Sequence, residues 1–222
     1  DISENESVLE QNYHKVYKRF ASFLYAHPKL PFSVSFSGAQ LLFYKKNHLE
    51  YIDLISQLTN RKQLEVLGGG YYNPIFPLLF PQDRSGQIEL LTSELRQTIG
   101  KRPRGMPLFY SIWDNNLIPS LQSCGMEYVF LDNSLIPKER QCYLPLIVSE
   151  QGKSLSVLGV SREFIPNPLV QPREYLRNLF DTVNYLTKDD DYNLLTNERV
   201  VTIKIDEAHF EKLYNSGWLE KM

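Results

Sequence analysis

Between Val8 and Tyr25 the apolar residues Val8, Leu9, Tyr13, Val16, Tyr17, Phe20, Phe23 and Leu24 recur at helical spacing, and His27-Pro28 closes the run. The segment PFSVSFSG that follows reads as a strand. From Ala39 to Asn60 the spacing of Leu41, Leu42, Tyr51, Leu54, Ile55 and Leu58 predicts a second helix, and QLEVLGGG predicts the second strand. A third helix is expected over Gln82 to Ile99, stopped by Gly100, with GMPLFY as the strand after it. Asn116 to Ser123 has helical character and MEYVFLD extended character. YLPLIVS and SLSVLGV flank EQGK as the strands of a hairpin would, PREYLRNLFDTVNYLT opens a helix with Pro172 near its first turn, and VVTIKID is the last expected strand. Strand and helix alternating in this order imply an α/β fold with a mainly parallel sheet, covered by helices or closed into a barrel. In such folds functional residues collect at the C-terminal ends of strands.

Composition narrows the function more than the fold. A chain of 222 residues, 42% of them hydrophobic, can bury one sizeable core, and a single domain over 1–222 is expected. The 24 basic and 26 acidic residues are spread along the chain to a net charge of −2, which leaves no electrostatic footprint for nucleic acid or an anionic membrane. No run approaches the roughly 20 apolar residues of a membrane span. Cys124 and Cys142 are too few for a disulfide framework and form no CxxC pair. Both are read as free thiols in a reducing compartment, with the cytoplasm as the expected location.

Three strand ends carry candidate chemistry: Gly68 to Pro74, Tyr110 to Asp114, and Asp206 to Phe210. Consecutive glycines cost conformational entropy, so Gly68, Gly69 and Gly70 serve either positive φ and close helix packing or a near approach of backbone to ligand. Taken together the segments resemble glycoside hydrolase family 57, whose members act on α-glucans as amylases, 4-α-glucanotransferases and branching enzymes. The resemblance runs through FSGAQLLFYKK, LEVLGGGYYNPIFPLLFPQDRSGQIELL, W-D-x-x-L at Trp113, CGMEYVFLDNS and GWLEKM. It implies a distorted (β/α)7 barrel with a sugar cleft at the strand C-termini, an α-glucan or maltooligosaccharide as ligand, and no cofactor or metal. Gly69, Gly70, Tyr72, Asn73, Trp113 and Asp132 then fall at substrate-binding positions, Tyr110 at the nucleophile position and Asp206 at the acid/base position. The family's H-x-H-Q-P first strand has no counterpart here, so an incomplete barrel with flanking domains in a larger chain is expected.

The departures from the family pattern bear on chemistry. A retaining glycosidase needs a nucleophile and an acid/base carboxyl about 5–5.5 Å apart. The family sets its nucleophilic glutamate in W-L-x-E-x-x-W, whereas this segment reads PLFYSIW, with Tyr110 for the glutamate and Pro107 for the first tryptophan. A phenol with a pKa of about 10 is a poor nucleophile toward a neutral sugar. G-G-G-F-Y-E-P has Asn73 in place of its glutamate, and L-D-D-x-H-F has become LDNSLI with Leu135 for the histidine. D-G-E-K-F-G reads DEAHFE, which keeps Asp206 but replaces the glutamate by Ala208 and the lysine by His209.

Two functional readings follow. One is a catalytically degenerate domain that binds α-glucan or acts as a carbohydrate-related scaffold. The other is an active α-1,4-glucan hydrolase or 4-α-glucanotransferase with relocated carboxylates, for example Asp206 with Asp114 or Asp132. Plain structural roles stand beside these. Trp113 is a sugar platform or a core tryptophan, and Asp206 a functional carboxylate or a helix N-cap. Tyr71 and Tyr72 rim the cleft or fill the core, Asp114 and Asp132 hold loops, and His209 is a packing residue rather than a metal ligand.

Overall fold

The computed structural model describes residues 6–137, 143–186 and 199–222. The first helical run is α1 (Glu6–Asn12) and α2 (Lys18–Ala26), joined through a π-helical turn at Tyr13–Tyr17 that buries Tyr13, Val16 and Tyr17 together. Strand β1 (Phe32–Ser35) pairs in parallel with β2 (Leu64–Leu67), Phe32 opposite Leu64 and Ser35 opposite Leu67.

The crossover between these strands is not the single helix that the apolar spacing predicts. It is two, α3 (Gly38–Asn47) and α4 (Leu49–Asn60), separated by His48 at φ −141° and ψ 59°. The buried His48 ring stacks on Tyr13 at 3.6 Å between centroids. Its Nε2 meets Glu10 Oε2 at 3.0 Å and its Nδ1 meets Glu50 Oε1 at 3.3 Å. A carboxylate meets each ring nitrogen, one from α1 and one from α4. The break is thus set by partners on another helix, which periodicity does not register. Ser37 starts α3 with a reciprocal capping box to Gln40.

Helix α5 (Pro81–Ile99) ends at Gly100, whose φ of 82° is the left-handed conformation that closes many helices. Strand β3 (Gly105–Pro107) pairs in parallel with β4 (Tyr128–Asp132). GMPLFY therefore contributes three strand residues and not six. Beyond Pro107 the chain turns, with Ser111 at φ 51° and its N–H on the Leu108 carbonyl at 3.0 Å. A 3-10 turn at Asn115–Leu117 leads into α6 (Ile118–Ser123).

The expected hairpin is β5 (Leu146–Glu150) and β6 (Lys153–Val160), joined by Gln151 and Gly152, both at positive φ as a tight two-residue turn requires. The four-stranded sheet has the order β3-β4-β6-β5. Helices α7 (Pro172–Leu186) and α8 (Glu207–Asn215) complete the chain. VVTIKID is not a full strand among its described residues: it makes one parallel bridge, Val160 with Thr202, while the Val200 N–H bonds to Tyr143 instead of extending the ladder. The fold is α/β with parallel pairing, and among the described residues the sheets do not close into a barrel.

Contacts divide the chain into two compact units, 1–130 with 147–156, and 131–146 with 157–222. In the first, Leu24, Leu41, Ile55, Leu58 and Ile88 are fully buried beside an aromatic cluster of Tyr13, Phe36, Tyr44 and Tyr51. In the second, buried Leu213 and Trp218 lie in the core, and the Trp218 indole donates to the Val170 carbonyl at 2.7 Å.

The His48 junction gives the first unit an acid-labile contact. The hydrogen bond with His48 is the main cause that holds the Glu10 carboxyl below its ordinary value of 4.5. A bond from its own backbone N–H leads the causes that lower Glu50, with Tyr13 and His48 adding to it. Because the folded values are depressed, this stabilisation is present above about pH 4.5 and is lost as pH falls through the folded values. Thermal unfolding followed from about pH 7 to about pH 3 should show a falling midpoint, shallower in Glu10→Gln than in the parent. Superimposable profiles would remove Glu10 from the account.

Candidate functional site

The loop after β2 answers why three glycines stand in a row. The Gly68 N–H donates to the Gly105 carbonyl at 2.8 Å, and a Cβ on Gly68 would come within 3.2 Å of Met126 and 3.3 Å of Pro103. A Cβ on Gly70 would overlap the Pro74 ring, while one on Gly69 would meet Leu91 at an ordinary 3.4 Å. None of the three has positive φ, so close packing accounts for Gly68 and Gly70. The left-handed residue of this loop is Asn73, at φ 49°, a conformation that asparagine tolerates better than most residues. Its buried Oδ1 has no hydrogen-bond partner among the described residues.

The two loop tyrosines differ. The Tyr71 ring lies where a Gly38 side chain would be, and its carbonyl accepts the Gly38 N–H at 2.9 Å, so it packs against the start of α3. Tyr72 is about half exposed, at 49%. Helix α5 holds this loop: Gln87 accepts the Tyr71 N–H through its carbonyl and the Tyr72 N–H through its side chain. One turn earlier, Arg84 is 8% exposed and donates to the carbonyls of Phe76 (3.0 Å), Pro77 (3.2 Å) and Asn116 (3.1 Å). That guanidinium ties the segment after Asn73 to the segment after Trp113. Sequence reading missed Arg84 and Gln87 because a polar first turn looks like a solvated helix start.

After β3, Tyr110 is 54% exposed, and its hydroxyl has no hydrogen-bond partner among the described residues. Trp113 is half-buried, not a core residue, and its indole N–H donates to Asn115 Oδ1 at 2.8 Å. Asp114 caps the following 3-10 turn by accepting the Asn116 N–H at 2.8 Å.

The second unit holds Asp132 and Asp206. Asp132 ends β4 with 8% exposure; its Oδ1 accepts from the Ser134 N–H at 3.0 Å and hydroxyl at 2.7 Å, and its Oδ2 from Arg162 Nε at 2.5 Å. Burial pushes this carboxyl upward, but the bonds from Ser134 and the Arg162 guanidinium outweigh it and hold the group below the usual range. Arg162 is a further residue the sequence did not single out. Asp206 is exposed and is the N-cap of α8, its Oδ1 accepting the His209 N–H at 2.7 Å. The His209 ring meets the Pro166 carbonyl at 2.6 Å, a packing role. Leu135 is 46% exposed, and Ala208 is exposed. Among the described residues no group of three or more His, Cys, Asp or Glu is placed to hold a metal ion. Cys124 is buried and free, and Cys142 lies outside the described residues.

Capping and chemistry at Asp206 are separable by substitution. Asp206→Ala should lower stability to urea by roughly 0.5–2 kcal/mol, whereas Asp206→Asn, which keeps a capping oxygen, should change it by only a few tenths. Equal losses in both variants would mean that the negative charge, not the cap, is what α8 needs.

Residues 2–219 match the model of the family described as Glycosyl hydrolase family 57. The chain is 30% identical over 232 residues to Alpha-amylase 1 of Dictyoglomus thermophilum, which covers 99% of this chain and 32% of that protein. It is 28% identical over 223 residues to the 4-alpha-glucanotransferase of Thermococcus litoralis, covering 96% of this chain and 33% of that one. The crystal structure of 4-alpha-glucanotransferase from Thermococcus litoralis superimposes with a TM-score of 0.81 at 26% identity, over 97% of this chain and 34% of that chain. The chain thus spans about a third of the length of the curated relatives it matches. With the family model matched from end to end of the described fold, the chain belongs to glycosyl hydrolase family 57.

Proposed function

We propose that this chain is a catalytically degenerate family 57 domain that binds an α-glucan or maltooligosaccharide at the C-terminal ends of its strands, those strands forming part of a (β/α)7 barrel. The observation that carries the reading is Tyr110. A phenol stands at the nucleophile position in an exposed turn beyond the end of β3, with no base bonded to it among the described residues. A nucleophilic hydroxyl needs an adjacent general base to act on a neutral sugar.

The alternative, relocated catalysis by Asp206 with Asp114 or Asp132, is weakened by how these carboxylates are used. Asp114 and Asp206 cap turns, and Asp132 is bonded on both oxygens. A binding role draws support from other groups. The exposed Tyr72 ring and half-buried Trp113 indole offer apolar faces of the kind pyranose rings stack on. Gly69 and Gly70 face Leu91 and Pro74, so they shape the loop that presents Tyr72 by packing. The names of the amylase and glucanotransferase relatives support α-glucan as the substrate class. The buried free thiol of Cys124 supports a reducing, cytoplasmic setting.

Incubation with maltooligosaccharides should give saturable binding with neither hydrolysis nor chain-length redistribution. Turnover that Asp206→Asn abolishes would overturn the proposal, since that variant keeps the cap. Installing the family residue should not rescue activity. Tyr110→Glu supplies a carboxylate, but its supports are altered at Pro107, Asn73, Leu135 and Ala208, and a working site needs placement to about half an ångström. Binding by Tyr110→Glu should stay within about tenfold of the parent, about 1.4 kcal/mol, with chromatography of the oligosaccharides showing no new chain lengths. Robust transglycosylation by this variant would mean that the surrounding site is intact.

A further inference from the structure

Within the first unit a cavity of about 350 Å³ is lined by Pro81, Arg84, Asn116, Pro119, Ser120 and Gln151. Arg84 is more than nine-tenths buried and forms no ion pair among the described residues. Its three hydrogen bonds all go to neutral carbonyls, one from Nε and one from each terminal nitrogen. Each terminal nitrogen of a guanidinium carries a second N–H, so two of its five donors remain without a partner among the described residues. Guanidinium donors bond carboxylate and phosphate oxygens strongly. A buried charge is ordinarily paired, and here the lining supplies no carboxylate to do it.

The rest of the wall points the same way. Ser120 is 8% exposed, and its hydroxyl has no hydrogen-bond partner among the described residues. Asn116 and Gln151 add neutral amides. Lys153 does not line the cavity, but its ammonium lies 3.4 Å from the carbonyl of the lining residue Pro119 and is bonded to the Ser123 hydroxyl. Lys153 likewise has no ion pair among the described residues. The carboxylates close by in sequence are Asp83, which is exposed, Asp114, which is bonded to the Asn116 N–H, and the half-buried Glu150 next to Gln151, none of which lines the cavity.

We propose that this cavity is a binding site for a compact oxyanion, held by the Arg84 fork with Ser120 and Lys153. The site is separate from the glucan-binding reading and does not depend on it. Because Arg84 also clamps Phe76, Pro77 and Asn116, an anion on its free edge adds a charge partner to the residue that joins the two loops.

The test titrates inorganic phosphate and, separately, acetate into the full chain at constant ionic strength, following melting temperature and calorimetric heats. The expected result is saturable binding of at least one of them with a dissociation constant of roughly millimolar order, about −4 kcal/mol. The anion that binds more tightly identifies whether phosphate or carboxylate is preferred. Arg84→Gln, which keeps amide donors for the carbonyls but removes the charge, should weaken binding at least tenfold. Lys153→Gln and Ser120→Ala, which leave the clamp untouched, should weaken it about threefold each. Absence of saturable binding by either anion overturns the proposal. So does binding that is unchanged in both Lys153→Gln and Ser120→Ala, an outcome that stays decisive even if Arg84→Gln fails to fold.

Discussion

A single backbone hydrogen bond, from the Gly68 N–H to the Gly105 carbonyl, is the constraint on which the candidate site rests. It links the β1–β2 pair to the β3–β4 pair, and both partners are buried, so the bond satisfies groups that water cannot reach. The approach is open only to residues without side chains. Pro103 and Met126 stand where a Gly68 Cβ would point, and the Tyr128 ring covers Gly105. Through this junction the loops after β2 and β3 are delivered to the same neighbourhood.

Helix α5 turns that proximity into a defined geometry. Gln87 fixes the Tyr71–Tyr72 backbone, and Arg84 bonds carbonyls on both loops at once. A buried guanidinium is an expensive device, because its desolvation must be offset by well-aligned acceptors. The acceptors sit in two short 3-10 turns, where Phe76 also accepts the Leu79 N–H at 3.1 Å, and Arg84 bonds the carbonyls of Pro77 and Asn116 beside it. The same residue therefore orders the loops and leaves a cationic edge on a cavity.

Three of the strand-end and loop carboxylates have structural partners. Asp114 and Asp206 each accept a backbone N–H at the start of a helical turn, and Asp132 is bonded by Ser134 and Arg162. For Asp132 those bonds stabilise the ionised form, which favours a fixed anion and disfavours a proton donor. Retention of an aspartate at a family position is thus a weaker sign of chemistry than its hydrogen-bond partners.

Much of this protein was legible from residue order. The apolar spacing of Val8–Tyr25, the Ser37 start and Gly100 stop of helices, and the Gln151-Gly152 turn are local signals, and the elements follow them. The family was legible from segments such as GGGYYNP and LDNS, and the family model matches residues 2–219. Other features stayed hidden because their causes lie far along the chain. His48 divides a helix through Glu10 and Tyr13, and β3 stops at Pro107 where a turn replaces strand pairing. VVTIKID keeps one bridge because Tyr143 takes the next backbone donor. Trp113 and Asp206 each had two plausible roles by residue type, and burial and hydrogen bonding in the folded chain chose between them, while Arg84, not singled out, is set by a carbonyl as distant in sequence as Asn116. Periodicity and turn chemistry are properties of neighbours in sequence, so they specify elements, whereas the partner of a side chain or strand edge exists only once distant segments have packed.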